Sequence, residues 1–283
     1  MKFIVNETYD GCSVRDFLKI GKGLSSRLFS CLKRENGILV NGKNVQAFEN
    51  VFSEDCVEVV FPETQTEITS EYEAFEILFE DDCILAVNKP ALMPCHPSVG
   101  HHSGTLANKV AGYFERKGMK TAVRMPARID SGTTGVVIIA KNEYVAQKLA
   151  TGETGKTYLC VCEGILPEKG EINLPIARAE GSILKREVRE DGKDALTFYE
   201  KINEGKNWSA AKVKIKTGRT HQIRVHLSAI GYPLLGDWLY GTETPGLSRH
   251  LLHLAVVEFI HPVTDEKITI RADLPDDMKN YFY

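Results

Sequence analysis

Arg128-Ile129-Asp130 opens a turn of Ser131, Gly132, Thr133, Thr134 and Gly135 that runs straight into the apolar stretch Val136–Ala140. A hydroxyl- and glycine-rich turn ahead of a buried strand can hold one carboxylate at the mouth of a cleft. Such a carboxylate can act as nucleophile or as base. Arg128 projects to the same side as Asp130 if the backbone is extended, because side chains two apart share a face. A guanidinium beside the acid would favour its ionised form. Thr133 offers a hydroxyl to a substrate. Further along, Gly218-Arg219-Thr220-His221-Gln222-Ile223-Arg224-Val225-His226 gathers cations and hydrogen-bonding groups on a helix-patterned stretch. Arg219 and Arg224 do not share a helix face closely, whereas Arg224 and Ser228 do. One arginine is therefore expected to face the pocket and the other a phosphate. The plainer alternative makes both surface charges on a helix whose apolar side is Ile223, Leu227 and Ile230.

Lys156-Thr157-Tyr158 begins a strand after the turn Gly152–Gly155. Its tyrosine can stack on a base or donate through its hydroxyl, or simply fill the core with its hydroxyl at the rim. Histidines gather in two places, His96/His101/His102 and His250/His253/His261. Neither group has a helical i, i+4 pair or an acid at familiar ligand spacing, so no metal is expected. The Pro/Gly-rich loop around His96 suits contact with a phosphate or a base.

The elements that must position these groups follow from pattern. Clear strands are expected at Ile84–Asn88, Val136–Ala140, Thr157–Cys162, Ala195–Ile202 and Ala210–Lys216. Clear helices are expected at Leu106–Lys117, Glu143–Ala150 and Thr220–Ile230. Many strands and few helices, with no internal repeat, predict an α+β domain on a mixed, mainly antiparallel sheet over residues 74–283. Residues 1–62 read as a small separate unit. Val14, Phe17, Leu18, Leu24, Leu28 and Leu32 have helical spacing, and strands follow at Gly37–Asn41 and Val57–Phe61. Between positions 11 and 35, Arg15, Lys19, Lys22, Arg27, Lys33 and Arg34 face only Asp16 and Glu35. They form either a solvated face or a grip on a phosphate backbone. The polar, acidic stretch 63–73 is expected to be the linker.

The totals exclude some classes. The chain has 283 residues, 43% hydrophobic and 26% charged, with a net charge of −3. That is an ordinary globular composition with room for two domains, and not a histone-like coat. Any RNA site must be local. Seven cysteines without a CxxC pair suggest reduced thiols. The N-terminus turns polar at once, and no apolar run approaches the roughly 20 residues that cross a bilayer. A cytoplasmic protein without a membrane partner is expected, with monomer as the default. No GxGxxG, GxxxxGK[ST] or HExxH pattern is present, so no cofactor is expected.

Taken in order, these segments resemble the RluA-like pseudouridine synthases, the large-ribosomal-subunit type. The resemblance runs from about residue 76 to the C-terminus. It includes Val87-Asn88-Lys89-Pro90, Cys95-His96-Pro97, Ser103-Gly104-Thr105-Leu106, Arg128-Ile129-Asp130 with Thr133-Thr134-Gly135, and Lys156-Thr157-Tyr158. It continues through Gly218–His226, Ile230-Gly231-Tyr232-Pro233, Gly236-Asp237-Trp238-Leu239-Tyr240-Gly241, Leu252-His253 and His261-Pro262. Residues 1–62 resemble the S4-like RNA-binding module that often precedes this domain.

The resemblance implies an isomerase that cuts the N1–C1′ bond of a uridine within RNA, turns the base and joins C5 to C1′, without a cofactor. It implies Asp130 as the essential aspartate, Tyr158 as the active-site tyrosine and Arg224 as the arginine paired with the aspartate. Arg128 would help expel the uridine and fill its place. Further RNA or substrate contacts would come from His96, Thr133, Lys156, Arg219, His221 and Gln222, and from Arg15, Lys22, Arg27, Lys33 and Arg34. Three departures stand out: Ala127 where the family usually has histidine, Ser131-Gly132 where more polar residues are common, and Leu254 where a small residue follows the histidine. Ribosomal RNA is the expected partner. The alternatives are a transfer-RNA synthase and a ribosome-assembly protein that keeps the fold with little catalysis.

Overall fold

The computed structural model describes residues 1–64, 67–98 and 102–283; His101 lies outside them. The chain begins with β1 (Lys2–Ile4), α1 (Val14–Asp16), which continues into one π-helical turn at Phe17–Gly21, and α2 (Ser26–Arg34). Then come β2 (Ile38–Val40), β3 (Lys43–Asn44) and β4 (Cys56–Val59), in an antiparallel sheet of order β1-β4-β2-β3. Ser13 and Ser25 accept from the backbone N–H groups three residues on, which starts each helix. Asn41 and Gly42 both take positive φ (49° and 78°), the hairpin turn that suits the twist of the flanking strands. Val14, Phe17, Leu18, Leu28 and Leu32 are buried against the sheet, leaving Arg15, Arg27, Lys33 and Arg34 outside.

The larger part comprises β5 (Glu76–Glu80), β6 (Ile84–Lys89), α3 (Leu106–Arg116), β7 (Thr134–Ala140), α4 (Glu143–Thr151) and β8 (Thr154–Glu163). It continues with β9 (Lys169–Asn173), β10 (Ile176–Arg178), β11 (Arg186–Val188), β12 (Leu196–Glu204), β13 (Trp208–Ile215), α5 (Gln222–Ala229), β14 (Leu252–Ile260), β15 (Lys267–Arg271) and α6 (Asp276–Phe282). The sheet runs β5-β6-β7-β14-β8-β13-β12-β9, with β15 also on β14. Only the β7–β14 pair is parallel. This is the α+β, mainly antiparallel architecture that the pattern predicts. Strands β6 and β7 are covered on both faces. Leu85, Val87, Val137 and Ile139 pack with Leu106, Val110 and Phe114 of α3, while Ile84, Ala86 and Val136 face the opposite core.

Two features tie the N-terminal unit down. Phe3 meets Tyr144 of α4 edge-on at 5.8 Å, and the Tyr144 hydroxyl donates to the Lys22 carbonyl at 2.9 Å. The described part of 63–73, expected as a linker, lies along α3. Glu71 N–H donates to Asn108 O, the Asn108 amide donates to Thr69 O, and Gly112 lets the Glu71 carbonyl approach where a Cβ would sit 2.1 Å from it. It is thus a strap as well as a connection.

Candidate active site

Asp130 closes β7 from its N-terminal side, at a turn fixed by buried groups. Thr133 N–H donates to the Asp130 carbonyl at 3.1 Å. The fully buried Lys89 ammonium donates to Ser131 O at 2.9 Å, and to the carbonyls of Pro90 and Met93. Burial pulls its pKa down to about 8. From the other side Arg249, itself forked onto Asp277, donates to Gly132 O at 3.1 Å. His250 lies over Gly132, where a Cβ would fall 2.8 Å from its ring, and bonds the Thr133 hydroxyl at 2.9 Å. Gly132 is therefore the residue type this ring requires. Beyond the turn, Gly135 (φ +113°) allows the Leu254 carbonyl to come within 2.2 Å of a would-be Cβ, so the parallel β7–β14 contact demands glycine.

Arg224 is the hub. It is 4% exposed, forks onto Asp237 at 2.7 and 2.8 Å, and reaches Asp130 Oδ2 at 3.1 Å. Burial opposes its charge, but Asp237 and then Asp130 outweigh burial and raise its pKa. Asp237 is fully buried and also accepts from the N–H groups of Leu239 and Tyr240. The reading of Arg224 as a surface charge is thereby overturned: Gln222–Leu227 are buried on every side of α5. His221 takes φ +59° as the residue before that helix, which explains why the helix starts at Gln222 and not at Thr220. Its ring bonds Tyr240 Oη at 2.8 Å through Nδ1, and Nε2 faces Asp130 Oδ1 at 3.8 Å.

Beside this acid lies a small cleft lined by Arg128, Lys156, Tyr158, Ala127, Leu149 and Leu254, among others. Tyr158 is buried, and burial together with the Asp130 charge drives its pKa well upward, so its phenol keeps its proton at neutral pH. Lys156 is half-buried, and desolvation lowers its pKa. Arg128 is exposed at the rim; it and burial lower the pKa of the nearby His96, burial being the larger effect.

A sequence profile of the RNA pseudouridylate synthase family matches residues 83–229, the stretch that carries Asp130, Tyr158 and Arg224. The chain belongs to this family. An uncharacterized RNA pseudouridine synthase of Bacillus subtilis, YhcT, is 35% identical over 288 residues, 99% of this chain and 95% of the relative. The Ribosomal large subunit pseudouridine synthase D of Xanthomonas campestris pv. campestris is 32% identical over 273 residues, 90% of this chain and 82% of the relative. The fold is shared with Human RNA Pseudouridylate Synthase Domain Containing 1, at a TM-score of 0.60 and 24% identity over 75% of this chain and 87% of that one. As a pseudouridine synthase, the protein isomerises uridine within RNA.

Within this synthase not every expected contact faces the cleft. Thr133 is buried and its hydroxyl is engaged by His250, because the turn needs that bond to stay closed. Gln222 is buried too. Its carbonyl accepts from Thr217 and from Arg219 N–H, and its amide donates to Leu196 O and Thr197, so no polar atom is left for RNA. Both side chains are bonded inside the protein. Arg219 is half-exposed and donates to Asp194 O, away from the Asp130–Arg224 pair. Lys22 sits over the rings of Phe3 and Phe17 at 5.3 and 5.7 Å, at the junction with α4, and not with the other N-terminal cations. Arg15, Lys33 and Arg34 do come together, with Lys19, in one groove between α1 and α2; Arg27 is exposed on α2 outside it.

Asp237, Tyr240, Lys89, Arg249 and His250 hold the site of this synthase, and sequence reasoning gave none of them a role. Lys89, Asp237 and Tyr240 stand in motifs that carry the resemblance, which is the available signal. Among the described residues, Asp81, Cys83 and His261 alone place ligand-type atoms within 4.8 Å of one another. His261 Nδ1 accepts from the N–H groups of Val263 and Thr264, so the neutral ring carries its proton on Nε2, 3.1 Å from Asp81 Oδ2. No helix among the described residues is long and apolar enough to cross a membrane.

Proposed function

We propose that the substrate is structured ribosomal RNA and that Asp130 carries the reaction, as nucleophile at C1′ or as base toward the sugar. The observation that supports this most directly is the Arg224 bridge. A buried guanidinium held by Asp237 reaches Asp130 at 3.1 Å, beside a cleft that contains a protonated Tyr158. Arg224 holds one oxygen of the carboxylate in place. In the isomerisation the N1–C1′ bond breaks, the C5–C1′ bond forms, the proton on C5 is lost to solvent and N1 takes one up in its place. Tyr158 is placed to move or guide a proton at the base. Flipping a stacked uridine costs a few kcal/mol, and Arg128 at the rim offsets part of that by taking the vacated place. Relatives named as large-subunit ribosomal synthases favour ribosomal over transfer RNA. The groove of Arg15, Lys19, Lys33 and Arg34 gives residues 1–62 the chemistry of a phosphate grip.

Tritium release from transcripts carrying 5-tritiated uridine tests the proposal. Release from ribosomal RNA by the wild type, with none by Asp130→Asn, is the expected result. Faster release from transfer RNA would overturn the substrate assignment. Equal release by Asp130→Asn would overturn the role of the aspartate, and RNA binding without any release would point to an assembly factor.

A further inference from the structure

Arg224 occupies one oxygen of Asp130; the other, Oδ1, faces His221 Nε2 at 3.8 Å. The opposite end of that imidazole is fixed. The Arg186 N–H, on the β10–β11 hairpin, donates to Tyr240 Oη at 2.8 Å. A phenol oxygen that accepts there directs its own proton to its remaining in-plane partner, which is His221 Nδ1 at 2.8 Å. Nδ1 is then an acceptor, and a neutral ring must carry its proton on Nε2, toward Asp130. Burial first, and the Arg224 charge, keep His221 neutral against the opposing pull of Asp130. The ring is held at this angle by a left-handed backbone (φ +59°) that non-glycine residues adopt rarely and that gathers at functional sites. Tyr240 is itself anchored: its ring lies 5.0 Å under the Arg224 guanidinium and edge-on to His221 at 5.6 Å.

Resting on the reading of Asp130 given above, we infer that His221 is a positioning residue for this reaction: Tyr240 sets its tautomer so that Nε2–H faces the second oxygen of Asp130. At 3.8 Å the contact is not yet a hydrogen bond. A shift of about 1 Å on substrate binding makes it one, as is common for groups that tighten only in the bound complex. Both oxygens of the carboxylate are then held. The chain of contacts also joins the hairpin backbone to the carboxylate.

The test has two arms. Two-bond proton–nitrogen correlation spectra of enzyme labelled on histidine, with the His221 signals identified by their loss in His221→Gln, read the tautomer without any turnover. The expected result is the Nε2–H form in the wild type and a mixture in Tyr240→Phe. An Nδ1–H form in the wild type overturns the inference even if the enzyme is active. A wild-type enzyme that releases no tritium from RNA sinks the functional reading and leaves the spectrum to decide the tautomer.

In the kinetic arm, Tyr240→Phe and His221→Asn should each lower kcat about tenfold with little change in KM, the worth of one hydrogen bond to a charged group. His221→Gln places an amide N–H near the Nε2 position and should recover most of the rate. Backbone strain alone predicts the reverse order, because asparagine tolerates left-handed φ better than glutamine. Asn equal to or better than Gln, or a rise in KM at constant kcat, overturns the inference.

Discussion

Replacing His250 with glutamine should make the protein less sensitive to acid, by an amount that the structure sets. His250 is 4% exposed, lies on the Asp130 turn and bonds Thr133. Burial, and then the Arg224 charge, lower its pKa from 6.5 to about 3. The unfolded chain therefore binds a proton that the native protein refuses between those values. Stability from this group is complete above pH 6.5 and is lost as the pH falls toward 3. At pH 5 the linkage relation gives a loss of about 2 kcal/mol, almost none of which is present at pH 7. Glutamine cannot be protonated, and its amide can still reach the Thr133 hydroxyl. Urea unfolding of both proteins at pH 7 and pH 5 measures the effect. The wild type should lose about 2 kcal/mol more than His250→Gln between the two pH values. Other buried histidines, His226 and His253, are shifted in the same direction and cancel in the comparison. Equal losses in the two proteins would refute the reasoning, because they would mean that His250 can charge in place.

Arg224→Ala should abolish tritium release and, by stranding the buried Asp237, cost about 3–5 kcal/mol in chemical denaturation; Arg219→Ala should leave both nearly intact, and matching losses would show that the wrong arginine is paired with Asp130. Combining Arg15→Ala, Lys33→Ala and Arg34→Ala should flatten the dependence of log RNA affinity on log salt by about 2 if each contacts one phosphate of a single strand, and an unchanged slope would remove the groove from the RNA interface.

The elements nearest the chemistry were legible because their signals are local. The strand after Asp130 is a continuous apolar run, the helix under Arg224 has helical spacing in Ile223, Leu227 and Ile230, and the ordered motifs point to the family. What stayed hidden are pairings across distant parts of the chain. Thr133 with His250 and Gly132 with Arg249 each span 117 positions, and Thr134 with His253 spans 119. No periodicity reports such contacts. The internal bonding of Thr133 and Gln222 is hidden for a related reason: a polar side chain reads alike in sequence whether it meets RNA or another buried polar group. Lys22 was misplaced because its neighbour, Tyr144, belongs to a different part of the fold. Gly132 departs from the family pattern where the His250 ring leaves no room for a Cβ.

The shared position of Arg224 bears on what happens during turnover. In the role proposed for it, as nucleophile or as base, Asp130 gives up its negative charge for part of the cycle. An arginine that depended on it alone would then be a bare cation in a buried place, and the intermediate would bear that cost. Here the forked grip of Asp237 remains throughout. The electrostatic field on the substrate can change by one unit while the scaffold beneath it stays neutral, and Arg224 need not move between bond breaking and bond making.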